Sequence, residues 1–203
     1  MRYWTSLVFT CLVSAALVCG CVAKKRSVKR VKPGEAPELT GKWSATDAHE
    51  VSEALIKDCF GSPWLLNFVE EQSRKPAVRV DRIVNKTSEH IDAQVFIKNL
   101  EKAMVNSGKV SVLAQRGAEL NSVNTEEDYA TEGRVADGPV IGEQKGGDFV
   151  LTVHMTSIEE QLEGEQVRFY KFSATLNNAT TAEKVWIGDH EIQKYIEQAK
   201  VTW

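Results

Sequence analysis

The residues best suited to chemistry form a polar run, Asn85-Lys86-Thr87-Ser88-Glu89-His90, directly after an alternating apolar stretch. A Glu beside a His could act as an acid–base couple if a nucleophile or a metal stood within reach. Nothing nearby in sequence supplies either. The histidines, His49, His90, His154 and His190, are far apart, and the sequence holds no HExxH, no Cys/His cluster and no Gly-x-Ser-x-Gly elbow. Zinc hydrolysis and nucleophile-elbow chemistry are therefore not indicated. The stretch "GEQKGG" (Gly142 to Gly147) lacks the spacing of a phosphate-binding loop and reads as a helix end and turn. Glu159 and Glu160 resemble a paired-carboxylate site, but neighbouring strand residues point to opposite faces, so they read as an exposed strand end before a turn. These patterns predict a protein that is not an enzyme, with no catalytic residue, no metal and no cofactor. What remains for the polar run is contact: Asn85, Lys86, Thr87, Ser88, Glu89 and His90 are the candidate partner-binding residues.

The flanking elements explain much of that run. Asp92 is a favoured helix N-cap, and Ile91 and Phe96 fall at the two positions of a hydrophobic staple. Asn85 suits the turn leaving the strand. Glu89 and His90 have no capping task and read as turn hydrogen-bonders or contact residues. Upstream, Asp47 is placed to cap a helix from 47 to about 60, with Val51, Ala54, Leu55 and Cys59 on one face. Ser62-Pro63 restarts a helix with Trp64, Leu65, Phe68 and Val69 on its apolar side. Ala77 to Val84 alternates and is β-branched, as a strand should be. Asp92 to Asn106 carries the stripe Val95, Phe96, Leu100, Ala103, Met104, and Gly108 suits a left-handed stop.

Further on, Lys109 to Ala114 reads as a short strand, Arg116 to about Arg134 as a polar acidic helix, and Gly138 to Gly146 as a short helix. Strands follow at 148–158, 166–176 and 184–192, then a short tail helix at 195–201. In the strand after Asp148, Phe149, Leu151, Val153 and Met155 share one face. In its partner, Tyr170, Phe172, Ala174 and Leu176 do so, with Val167 and Phe169 opposite. Apolar groups on both faces predict helices on both. Trp186 reads as core. The order predicts an α+β fold, with a mainly antiparallel sheet of four to five strands flanked by helices.

The first twenty residues read as a signal peptide: Arg2, a short uncharged apolar run, then Val18-Cys19-Gly20-Cys21. Cleavage after the small Gly20 would leave Cys21 at the N-terminus for acylation, as in bacterial lipoproteins. Several acyl chains make a stable anchor, at about 0.8 kcal/mol per buried methylene. Val22, in place of an Asp, favours sorting to the periplasmic side of the outer membrane. Cys59 would then be the remaining cysteine, a buried small hydrophobe. Residues 22–41 are rich in Lys and Arg and then Pro and Gly, which predicts a flexible tether. The division expected is 1–20 signal, 21–42 lipidated Cys21 and basic tether, 43–203 globular domain. From Lys42 onward there are 18 basic and 26 acidic residues, a net −8. That argues against nucleic acid and for a neutral or basic protein surface as partner.

Four stretches, "KPAVRVDRIVNKTSEHID", "FIKNLEKAMVNSGKVSVLA", "GGDFVLTVHMTSIEEQ" and "EKVWIGDHEIQKYI", resemble in order the LpoB-type activators of penicillin-binding proteins. The resemblance runs from about Asp47 to Ile196. It implies a fold similar to the N-terminal domain of TolB and the periplasmic domain of CsgG. It also implies an outer-membrane lipoprotein that binds a bifunctional class A penicillin-binding protein and stimulates peptidoglycan synthesis. The tether departs from the enteric type, being short and basic rather than long and Pro/Gln-rich. Because CsgG shares the fold, a structural subunit of an envelope secretion or assembly complex is the alternative. Against it, the hairpin 148–176 is interrupted by Glu159, Glu160, Glu163 and Glu165 and has no aromatic girdle.

Overall fold

The computed structural model describes residues 29–32 and 40–197. The chain divides into two compact units, Met1–Ala36 and Pro37–Trp203. Of the first unit, 29–32 is an exposed irregular stretch. The expected signal segment, Cys21 and most of the tether lie outside the described residues.

In the second unit the elements run α1 (Ala45–Gly61), α2 (Pro63–Gln72), β1 (Ala77–Lys86), α3 (Ala93–Ser107), β2 (Ser111–Val112), α4 (Ala118–Thr131), β3 (Phe149–Leu162), β4 (Glu165–Asn178) and β5 (Lys184–Glu197). The α+β class is as expected. The sheet has order β2-β1-β3-β4-β5 and is mixed. It is parallel across β2-β1-β3 and antiparallel across β3-β4-β5. The parallel half follows from connection length: α3 links β1 to β2, and only a long crossover can join parallel neighbours.

α1 and α3 pack on each other over one face of the sheet, touching β5 and β1 respectively. The core forms between Val51, Leu55, Phe96, Leu100 and Met104 of the helices and Leu151, Val153, Met155, Phe172 and Leu176 of the strands. α2 closes one end, with Trp64 and Phe68 edge-on to Phe149. A bulge between Val80 and Ile83 of β1 breaks strict alternation, so that Val78, Val80 and Ile83 all reach the core.

Several expectations are corrected. Helices do not cover both faces: along β3, Phe149, Leu151, Val153 and Met155 are buried, whereas His154 and Thr156 are exposed. The apolar groups that suggested a second layer, Val167 and Phe169, are half-buried along the strands themselves. Gly138 to Gly146 is irregular chain with one turn at Ile141-Gly142, rather than a helix; Gly142, at φ 85°, interrupts any helical run. Residues 195–197 continue β5 instead of starting a helix, and the rest of that expected tail helix lies outside the described residues. Glu159 and Glu160 are exposed but lie within β3, which runs past the expected end at 158 to Leu162 before the turn at Glu163-Gly164. Asp47 is not the cap of α1. Ser44 is, and Asp47 is the third helical residue of a capping box. Val95, expected in the α3 stripe, is exposed, and Ile97 takes the buried position.

Candidate functional site

The polar run leaves β1 through a set of short-range hydrogen bonds. Asn85 Oδ1 accepts from the Thr87 N–H at 2.9 Å and from the Thr87 hydroxyl at 2.7 Å. Asn85 Nδ2 donates to the Glu89 carbonyl at 3.0 Å. The Ser88 N–H donates across to the Ser157 hydroxyl on β3 at 3.3 Å. Asn and Ser side chains of this kind substitute for backbone pairing in turns. The turn closes at Asp92, whose carboxylate accepts from the Gln94 N–H at 2.9 Å and caps α3. Ile91 and Phe96, both buried, form the staple.

Glu89 points inward. Its carboxylate accepts from the Tyr170 hydroxyl at 2.7 Å, from Arg168 Nη1 at 2.9 Å and from the Trp43 backbone N–H at 3.2 Å. Arg168 continues the network to Glu159 at 2.9 Å. Burial, reinforced by the bond to Glu89, pushes the Tyr170 phenol up, so it remains a donor. Trp43 packs its ring on Phe172, Tyr170 and Phe96. A second, buried pair joins α1 to β5. Lys194 Nζ donates to Asp47 at 2.6 Å and to the Lys42 carbonyl at 3.1 Å. The segment entering the domain, Lys42 to Ser44, is thus held from both sides by charged groups of β5, α1 and the polar turn.

Between Lys42–Ala48 and Ser88–Val95 lies an open cleft of about 500 Å³. His90, Ser88 and Val95 are exposed at its rim, whereas Glu89 and Trp43 are half-buried in its wall. Asn85 and Lys86 are exposed at the end of β1 beside it. The six residues of the run therefore divide into two groups. Thr87 and Glu89 are half-buried and hold the turn together with Asn85, which itself stays exposed, as do Lys86, Ser88 and His90. Sequence reasoning does not single out Trp43, Arg168 or Lys194, and it places Tyr170 only on an apolar strand face. The Ser44-x-x-Asp47 spacing of a capping box is a signal that could have found the entry segment next to Trp43. The other three become related to Glu89 and Asp47 only through strand pairing.

The arrangement does not support acid–base work, because Glu89 is engaged by three donors and His90 is exposed at the rim. Burial pushes the Cys59 thiol up to about 12, far from a thiolate nucleophile at neutral pH. Among the described residues no group of three or more His, Cys, Asp or Glu could hold a metal ion. Among them, too, no helix is long and apolar enough to cross a membrane.

Fold and site together define an α+β module with one helix layer, a braced entry segment and an open cleft lined by both polar and apolar residues. The model of the peptidoglycan-synthase activator LpoB family matches residues 47–192, and the chain belongs to that family. Its fold is similar to the LpoB C-terminal domain from Escherichia coli, at 12% identity and a TM-score of 0.43, covering 72% of this chain and 98% of that one. It is also similar to the E. coli LpoB structure solved by NMR, at 14% identity and a TM-score of 0.37, covering 89% and 85%. Lipoprotein GNA1162 from Neisseria meningitidis is similar at 15% identity and a TM-score of 0.40, covering 62% and 88%. No curated protein matches the chain.

Proposed function

We propose that this chain is a lipoprotein, anchored through Cys21 at the periplasmic side of the outer membrane, with residues 43–203 as its working domain. It binds a bifunctional class A penicillin-binding protein and activates its glycan polymerisation and peptide crosslinking. It acts by contact and not by catalysis. The observation that carries this reading is membership of the activator family across 47–192, nearly the whole described domain. The cleft supports it, since its rim offers contact groups and its wall is fixed by hydrogen bonds. Asn85, Lys86, Ser88 and His90 are the proposed contact residues beside it. The test mixes the purified mature chain with a class A penicillin-binding protein from the same bacterium and follows lipid II consumption. Faster glycan polymerisation supports the proposal. An unchanged rate, with no complex by surface plasmon resonance, overturns it.

A further inference from the structure

Between β2 and β3 the chain leaves the body of the domain. α4 buries none of its residues. The returning loop nevertheless has a fixed path along it. Gln144 Nε2 donates to Asn124 at 3.0 Å and to Glu127 at 2.8 Å. The Arg134 guanidinium lies over the Tyr129 ring, 5.2 Å from its centre. Gly138 sits so close to Ala130 that a side chain there would collide. The Val140 carbonyl accepts from the Glu143 N–H at 3.2 Å, with Gly142 at φ 85°, so 140–143 is a tight turn. That turn presents Val140 and Ile141, which are 65% and 67% exposed. Val123, Tyr129 and Val135 are exposed on the same excursion.

Exposed aliphatic side chains on an ordered turn suit a binding anchor, and prior ordering lowers the entropy lost on docking. The surroundings say what would cover them. Residues 117–147 carry seven acidic and two basic residues. Of the acidic ones Glu119 is tied to Lys98 and Glu132 to Arg134; Glu126, Asp128, Asp137 and Glu143 stay exposed. An apolar tip in an acidic field matches an apolar pocket rimmed by Lys or Arg.

We propose that the excursion 117–147 is a docking arm, separate from the cleft, which inserts Ile141 into a basic-rimmed pocket of the synthase. The identity of that partner rests on the activator reading; the arm's anchor and charge do not. The experiment measures binding of the full mature chain to the periplasmic region of the class A penicillin-binding protein at two salt concentrations, one low and one near physiological. Wild type is compared with Ile141→Ser, with Glu126→Lys/Asp128→Lys and with Ser88→Ala/His90→Ala. The arm predicts roughly tenfold weaker binding or worse for Ile141→Ser, the loss expected of a central anchor. It also predicts slower association and a flatter salt dependence for the charge variant. Arm variants that bind as tightly as wild type, while the cleft variant binds more weakly, overturn the arm and leave the activator reading standing. A wild-type chain that binds no synthase overturns both. Thermal melting of each variant confirms that the fold is kept.

Discussion

Glu89, half-buried, and Asp47, buried, are carboxylates whose partners come from distant strands. Removing Glu89 would leave the Tyr170 hydroxyl only its long bond to the Gly41 carbonyl at 3.5 Å, strand the Trp43 N–H, and leave Arg168 with Glu159 alone. Each buried group left unsatisfied costs about 1–3 kcal/mol. Glu89→Ala is therefore expected to lower unfolding free energy by about 2–3 kcal/mol in urea. His90→Ala, one residue away and exposed, should stay within about 0.5 kcal/mol of wild type. Equal effects would remove the distinction between the inward and outward members of the pair. Lys194 and Asp47 form the second case, with side chains only 8% and 6% exposed. Lys194→Met should cost about 3 kcal/mol, because it leaves a buried carboxylate without its counter-charge. Adding Asp47→Asn should recover part of that loss, since an Asn oxygen can still accept from the Ser44 N–H without carrying charge. A double variant less stable than Lys194→Met alone would contradict this account. From sequence, Glu89 stands out as a residue with no capping task, but its partners do not, since Glu89 to Arg168 spans 79 residues.

Helix ends are decided locally, and sheet faces are not. The α3 cap, its staple and the Gly108 stop are legible in the sequence because each is settled within one helical turn. Asp92→Ala should cost about 1 kcal/mol, read from the urea midpoint. The open face of the sheet is not legible. Val167 and Phe169 alternate like a buried face, but α1 and α3 both pack on the other side and leave them uncovered. α1 is capped three residues before Asp47, because Asp suits both the cap and the third helical position. The joint between β1 and β3 is also set at long range. Asp148 accepts from the Ala77 N–H at 2.7 Å and from both terminal nitrogens of Arg74, at 2.7 and 2.6 Å. Arg74, and then the Ala77 N–H, hold its carboxyl below the ordinary 3.8. A carboxylate with a lowered folded pKa stabilises the fold above about pH 4 and loses that contribution as pH falls through the folded value. Asp148→Asn should therefore be less stable than wild type at about pH 7, with the gap narrowing below about pH 4. A gap that widens in acid would show that Asp148 stabilises through something other than its charge.

The core and the excursion between β2 and β3 are thermodynamically distinct parts of the domain. The core joins α1, α3 and four long strands through residues that lose nearly all solvent contact. The excursion 117–147 meets the rest of the chain through the ion pair from Glu119 to Lys98; Glu119 also accepts from the Gln115 N–H at 2.9 Å, and the Leu120 N–H donates to the Gln115 carbonyl at 3.2 Å. The roots of the excursion lie close together. The Leu113 N–H donates to the Val78 carbonyl and the Asp148 N–H to that of Ala77, on opposite sides of β1. Two inter-strand spacings, about 10 Å, therefore separate the points where the chain leaves and rejoins the sheet. A flexible linker of about six residues spans that distance. Each halving of loop length changes the closure cost by only about 0.6 kcal/mol. Replacing 118–146 by such a linker should leave the far-UV spectrum of the core and a cooperative melt, with unfolding free energy within about 1.5 kcal/mol of wild type. Loss of cooperativity would mean that α4 supports the core through contacts other than those with Lys98 and Gln115. A folded, shortened chain that no longer binds the synthase would instead separate the two duties physically: the core sets the shape, and the excursion meets the partner.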